Sequence, residues 1–184
     1  MSDTQLPFFV YGTLLPGEPN HDRFLRGRTC QERPAVLPGA LLYEGPGYPY
    51  AVEGHGTVHG ALVTAAPGAY AELLGLLDDL EEFLGPGHPR NLYERVAREA
   101  VPAPGVPDEP RPGDSGAGEP DAGQPGAGQP GAGQPGPGEP GPVRAWVYLA
   151  AGAGAVARSL RTGGTPVPGG DWLSRRPPPA RRTP

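Results

Sequence analysis

The residues best placed to do chemistry lie in a leucine-rich run near the middle of the chain. At about 100° per residue, Leu73, Leu74, Leu76, Leu77, Leu80 and Leu84 fall on one arc of a helix over 70–83, while Glu72, Gly75, Asp78, Asp79 and Glu82 fall outside it. Glu81 falls inside. A carboxyl group packed among leucines loses solvation, its pKa rises, and it can take up and return a proton near neutral pH. Glu81 is therefore the first catalytic candidate. The alternative places Glu81 at the edge of the arc with its carboxylate in water, as for most glutamates. The other reactive side chains are scattered. His55 and His59 are separated by a glycine turn and a strand, which does not bring two ligands together as one helix face would, so no metal pair is expected. Cys30 is the single cysteine, which excludes an intramolecular disulfide and any multi-cysteine metal site.

Composition narrows the chemistry further. All 15 basic residues are arginine. The absence of lysine excludes a Schiff-base lysine, a pyridoxal phosphate anchor and the lysine of a Walker loop. A net charge of −5 argues against a nucleic-acid partner, although Arg175, Arg176, Arg181 and Arg182 make the last segment locally basic. The first residues lack a basic start followed by a long apolar run, and no later stretch has membrane-spanning length. A soluble, cytoplasmic protein without membrane partners is expected.

The 184 residues include 31 Gly and 28 Pro, and the excess is local. Over 102–142 the sequence is almost entirely Pro, Gly, Ala, Gln and acidic residues in a five-residue period, with three copies of AGQPG from Ala122 to Gly136. The period is not the three of collagen, and there is little apolar surface to bury. This segment is expected to be a disordered insert, and 173–184 a disordered Arg/Pro-rich tail. The remaining 1–101 and 143–172, roughly 130 residues, suit a single domain with one core.

The elements that must position Glu81 follow from pattern and punctuation. Leu6 to Val10 is an apolar strand running into a tight loop at Tyr11-Gly12-Thr13. Asn20 is expected to cap a short helix to Arg26, ended by Gly27. Ala35 to Tyr43 is a strand broken at Pro38-Gly39, followed by a turn at 44–47. Two more strands, 48–52 and 57–64, are expected on either side of Gly54-His55-Gly56. Pro67-Gly68 opens the long helix, and Gly85-Pro86-Gly87 ends it. Strands at 92–101 and 143–150 flank the insert, where a hairpin loop lengthens at small entropic cost. Strands, one main helix and two more strands give an α+β domain with a curled or closed sheet. Without a GxGxxG loop or repeated βαβ units, a Rossmann enzyme is not expected.

Taken in order, FFVYGTLLPGEPNH, LLYEGPGYPYAV, GTVHGALV, LLDDLEEF, NLYERVARE and VRAWVYL resemble the γ-glutamylcyclotransferase-like family, which includes the AIG2-like and γ-glutamylamine cyclotransferase proteins. The resemblance covers nearly the whole chain apart from the insert and tail. It implies a small mixed β-barrel flanked by helices, with a pocket at the YGTL loop (Tyr11, Gly12, Thr13 and Leu14) and a catalytic glutamate that falls on Glu81. Many members have glycine after this glutamate; here Glu82 follows. The implied reaction is cyclisation of a γ-glutamyl amide, whose own α-amine attacks the γ-carbonyl to release 5-oxoproline and an amine or amino acid. No cofactor or metal is implied, and the partner is a small-molecule γ-glutamyl substrate.

Within that reading, backbone N–H groups of Gly12, Thr13 and Leu14 would hold the substrate carboxylate or a developing oxyanion; otherwise the loop is a strand-end turn whose glycine relieves a steric conflict. Tyr93 and Arg95 are two apart and share a strand face. Arg95 would neutralise a substrate carboxylate or, the preferred alternative, pair with a structural acid such as Asp78. Tyr48 and Tyr50 share a face near the same loop and would line the pocket or pack at its rim. His21 would lie beside the loop. The alternative function is a non-catalytic small-molecule binding module with the same pocket. Oligomeric state is open, and a monomer is compatible with the fold.

Overall fold

The computed structural model describes residues 5–104, 141–152 and 154–174. The expected insert and tail lie outside the described residues except at their edges, where the boundary shifts slightly: Pro102 still belongs to a strand, and the Ala103 N–H donates to the Pro34 carbonyl at 2.9 Å. Five strands, β1 (Phe8–Val10), β2 (Thr29–Glu44), β3 (Pro49–Ala65), β4 (Tyr93–Pro102) and β5 (Val143–Ala150), close into a barrel in the order β1-β3-β2-β4-β5. Every neighbouring pair is antiparallel except β1 and β5, which run parallel, so the barrel is mixed. Two helices, α1 (Tyr70–Leu80) and α2 (Ala155–Gly163), pack outside it. Neither is long and apolar enough to cross a membrane.

Strand alternation divides the buried residues into two cores. One takes Phe9, Leu37, Leu42, Ala51, Val58, Leu62, Ala100 and Val147 from all five strands and no residue from either α-helix, so it fills the barrel interior. The other collects the alternate residues, among them Phe8, Val10, Tyr50, Val52, Val63, Tyr93 and Tyr148, with Leu73 and Leu77 of α1 and Ala157 of α2. It lies between the barrel wall and the helices. Three-residue β1 is buried on both faces because it serves both cores.

Two breaks expected from sequence are one irregularity shared by two unbroken strands. Pro38 pairs with Thr57 and Ala40 with Glu53, so Gly39 on β2 faces Gly54-His55-Gly56 on β3. Gly39 has φ 78, the left-handed geometry of a glycine bulge. Across this irregularity, where one residue of β2 faces three of β3, the inward positions of β2 change from Ala35 and Leu37 to Ala40 and Leu42. Punctuation that reads as a chain break in one dimension here bends a long strand around the barrel.

The helical stretch after β1 also differs from expectation. It is a single π turn over His21–Leu25, and the Asn20 side chain makes no capping bond. Asn20 Nδ2 instead donates to Thr13 Oγ1 at 3.0 Å, tying this turn to the loop after β1. Helix α2 had no sequence counterpart. Beyond it, Thr165 and Val167 hydrogen-bond to the end of β2, and Trp172 is buried in the barrel core.

Candidate active site

Helix α1 stops at Leu80, one turn before the sequence pattern predicts. The Phe83 N–H donates to the Asp78 carbonyl at 2.9 Å and the Glu82 N–H to the Asp79 carbonyl at 3.3 Å. These are the two nested bonds of a Schellman motif, which requires a left-handed residue just beyond the cap. That residue is Glu82, with φ 51, and it is the one non-glycine residue at positive φ among the described residues. A side chain there costs about 1–2 kcal/mol over glycine. Because the helix has ended, Phe83 rather than Leu84 turns inward: Phe83 is buried and Leu84 is 56% exposed, which corrects the projected leucine arc.

The same termination makes Glu81 the cap residue and brings it to the wall of a cavity of about 180 Å³. The cavity lies between the end of α1, the turn after β1 and the ends of β3, β4 and β5. Its wall includes Tyr11, Thr13, Leu14, Tyr48, Pro49, Leu80, Glu81, Glu82, Tyr93 and Tyr148. Burial pushes the Glu81 carboxyl up to about 7. Glu82 is not among the causes, so proximity of a second acid is not what raises it. Among the described residues the Glu81 carboxylate has no hydrogen-bonding or ionic partner; it faces the cavity with its bonding capacity unused.

The turn after β1 is a single 3-10 turn, Gly12–Leu14. Gly12 has φ 63, and a Cβ on it would sit 2.3 Å from Pro49 Cγ, so the turn passes too close to β3 for any side chain. Gly12 thus shapes the wall from behind, while Tyr11, Thr13 and Leu14 line it. The amides of Gly12 and Thr13 start the turn and have no acceptor within it; Leu14 N–H reaches the Tyr11 carbonyl at 3.4 Å. Tyr11 OH donates to the Tyr148 carbonyl at 2.7 Å, and Tyr93 OH donates to the Pro49 carbonyl at 3.0 Å. Burial, and then the Glu81 charge, raises the pKa of Tyr11. Burial, then the charges of Tyr11 and Glu81, does the same for Tyr93. Both therefore remain hydroxyl donors.

Arg95 does not line the cavity. Its Nη1 lies 2.5 Å from Asp78 Oδ2, and the guanidinium sits over the rings of Phe83 and Trp146 at 4.9 and 5.2 Å. Asp78 also accepts the Tyr148 hydroxyl at 2.7 Å. The pairing alternative describes where Arg95 is, and its expected contact with a substrate carboxylate has no geometric support. Tyr48 is at the rim; Tyr50 lies behind it, stacked 5.5 Å from Tyr93, and donates to Tyr48 OH at 3.1 Å. His21 is away from the cavity, with Nε2 2.8 Å from Glu32. Cys30 is exposed, and no group of three or more metal-ligating side chains occurs among the described residues.

Sequence reasoning missed Tyr148 and Asn20 as wall residues. The signal for Tyr148 was a hydroxyl-bearing residue inside the otherwise apolar VYLA of β5, and its partner Asp78 is 70 positions away.

Comparison with known proteins places these elements. The family model described as "Gamma-glutamyl cyclotransferase, AIG2-like" matches residues 8–108, which carry every residue of the cavity wall except Tyr148. A γ-L-glutamyl-butirosin B γ-glutamyl cyclotransferase from Niallia circulans is 39% identical over 88 residues, 48% of this chain and 53% of that protein. The match thus spans about half the length of that relative. Among solved structures, an AIG2-like protein from Mus musculus is 21% identical with a TM-score of 0.49, covering 82% of this chain and 80% of its own. An uncharacterized protein from Pyrococcus horikoshii is 18% identical with a TM-score of 0.48, covering 91% and 89%. Because the family model extends over more than half of the chain and takes in β1, the 3-10 turn and the end of α1, the chain belongs to the γ-glutamyl cyclotransferase, AIG2-like family.

Proposed function

We propose that this protein is a γ-glutamyl cyclotransferase that converts a γ-glutamyl amide into 5-oxoproline and a free amine, with Glu81 as the proton shuttle. The observation that carries the reading is an unpartnered carboxyl group, held up to about 7 by burial, on the wall of a cavity. A carboxylate with no structural partner and a pKa near the working pH is suited to accept a proton and return it.

The neutral α-amine of the substrate attacks the γ-carbonyl carbon, closing the five-membered ring, and the new ring nitrogen gives one proton to the Glu81 carboxylate. As the tetrahedral intermediate collapses, the bond to the leaving nitrogen breaks, and the Glu81 carboxyl returns the proton to that nitrogen. Atoms and charges balance without a covalent enzyme intermediate. Ring closure needs a folded substrate, and correctly oriented internal nucleophiles reach effective molarities on the order of 10⁵ M or more. The wall offers N–H groups of the 3-10 turn for the substrate carboxylate or the oxyanion, with the Thr13 hydroxyl beside them. Tyr11 and Tyr93 fix the wall by donating to backbone carbonyls. Arg95 acts only through Asp78 in this scheme.

The test is 5-oxoproline release, followed by mass spectrometry, from γ-glutamyl amines, γ-glutamyl amino acids and glutathione, with wild type and Glu81→Gln side by side. Release by wild type and its loss in Glu81→Gln is the expected result. Equal release from both removes Glu81 from the reaction, and no release from any substrate overturns the cyclotransferase reading.

A further inference from the structure

Asn20 begins the π turn, a position where asparagine ordinarily caps the backbone, yet its side chain makes no capping bond. Its Nδ2 donates instead to Thr13 Oγ1 at 3.0 Å, and both side chains line the cavity. The next residue anchors this arrangement to the barrel. His21 Nε2 lies 2.8 Å from one Glu32 carboxylate oxygen on β2, and the other accepts the Thr29 hydroxyl at 2.6 Å. Asn20 is thus held against the turn after β1 from outside the cavity.

The direction of the Asn20–Thr13 bond has a chemical consequence. A hydroxyl carries one hydrogen and two lone pairs, whereas an amide nitrogen only donates. Asn20 Nδ2 therefore occupies a lone pair of Thr13 Oγ1, and the hydroxyl hydrogen has no acceptor among the described residues. The tyrosines deeper in the wall differ. Tyr11, Tyr93 and Tyr148 commit their hydroxyl hydrogens to the Tyr148 carbonyl, the Pro49 carbonyl and Asp78, and Tyr48 sits at the rim. No arginine or histidine lines the cavity among the described residues, and its two charged side chains, Glu81 and Glu82, repel an anion. A carboxylate bound there depends on neutral donors, which the turn after β1 supplies as backbone N–H groups and the Thr13 hydroxyl.

We propose that Asn20 is a positioning residue: by donating to Thr13 Oγ1 it commits the Thr13 hydroxyl to act as a donor toward the substrate's α-carboxylate. This rests on the cyclotransferase reading for the identity of the ligand, and it adds the residue that sets the polarity of the carboxylate site.

The experiment measures Kd by calorimetry on Glu81→Gln, where turnover does not consume the ligand. The probes are γ-glutamyl-n-butylamide and N-butyl-4-aminobutanamide, the same amide without its α-carboxylate. Asn20→Asp keeps the shape but only accepts, so it draws the Thr13 hydroxyl hydrogen away and turns lone pairs toward the ligand. Added to Glu81→Gln, it should weaken γ-glutamyl-n-butylamide binding about ten- to a hundredfold, as for loss of a hydrogen bond to a charged group. Asn20→Ala only frees the hydroxyl to rotate and should weaken binding less, about two- to fivefold. The new carboxylate of Asn20→Asp also repels the ligand by charge alone, and that part persists in Thr13→Val. The loss caused by Asn20→Asp should therefore be several-fold smaller in the Thr13→Val background, and full in Thr13→Ser, which keeps the hydroxyl. N-Butyl-4-aminobutanamide should lose no affinity with Asn20→Asp. With Glu81 intact, Asn20→Asp should raise KM for γ-glutamyl-n-butylamide and leave kcat within about threefold.

A turn merely loosened by loss of Asn20 would make Asn20→Ala at least as harmful as Asn20→Asp, and that ranking overturns the inference. So does a loss from Asn20→Asp that is equal with Thr13 and with Thr13→Val, even if turnover is normal in wild type. If nothing is turned over but binding follows the expected pattern, the cyclotransferase reading fails and the role of Asn20 stands. Absence of both turnover and binding overturns both.

Discussion

Asp78 and Glu81 stand three residues apart at the end of α1, and their surroundings are opposite. Asp78 is gripped from β4 by Arg95 and from β5 by Tyr148. Glu81 has the same charge in its ionised form and no partner among the described residues, only burial, which lifts it to about 7. The first carboxylate fastens the helix to the barrel. The second sits where fastening has stopped, because the helix has just ended and no strand offers it a donor. A group held by strong partners is a poor proton shuttle, since each proton taken up breaks a charge-assisted bond. A group left alone beside a cavity is a good one, provided its neighbour keeps the backbone still.

The largest test of that contrast is catalytic. Glu81→Gln should lower kcat about 10²–10⁴-fold, the usual range for a general acid–base group, while circular dichroism and the denaturation midpoint at neutral pH stay intact or improve. Asp78→Ala should do the reverse. It leaves the Arg95 guanidinium against Phe83 and Trp146 without its anion, and guanidinium denaturation should show a loss of about 2–3 kcal/mol. The pair Asp78→Ala/Arg95→Ala should lose less than the sum of the single changes, because one charge cannot be orphaned twice. If Asp78→Ala spares stability and abolishes turnover, the division between the two carboxylates fails.

A pH series sharpens the comparison. The folded pKa of Glu81, about 7, lies above its ordinary 4.5. The folded state therefore binds more protons between these values, and stability contributed by the protonated group falls as pH rises through that window. Glu81→Gln removes the penalty, so the variant should equal wild type at pH 4 and exceed it by on the order of 2 kcal/mol at pH 8. A constant difference across the range would mean that Glu81 titrates normally. The smallest effect is expected at the wall: Tyr11→Phe deletes the bond to the Tyr148 carbonyl and should cost about 1 kcal/mol in thermal unfolding.

Much of this contrast was legible in the sequence. The leucine period singled out Glu81, and the strands expected at 92–101 and 143–150 match β4 and β5 to within one residue at each end. Asp78 was named as a partner for Arg95 because both residues suit an ion pair, though spacing alone left a substrate carboxylate as the competitor. Local pattern failed where the deciding contact was distant. Pro38-Gly39 and Gly54-His55-Gly56 looked like strand ends because each is a breaker by itself; paired across the sheet, they form a bend. The helix seemed to continue to Phe83 because the apolar period continues, and a left-handed glutamate carries no sequence mark. Gly12 has a role that only Pro49, 37 positions later, reveals.

By itself the sequence determined the strand character of β1, β4 and β5, the existence of helix α1 and the acid most out of keeping with its apolar surroundings, while helix α2 left no mark in it. Residue periodicity and side-chain chemistry are properties of neighbours in the chain, and they survive without a fold. The tertiary structure decided how the strands close, which of two carboxylates one helical turn apart is held and which is left free, and what lies across the cavity from Glu81. These depend on contacts such as Tyr148 with Asp78 and Tyr93 with Pro49, made by residues dozens of positions apart. Barrel closure brings those residues together, and only then does the loss of water around Glu81 become a property of the molecule.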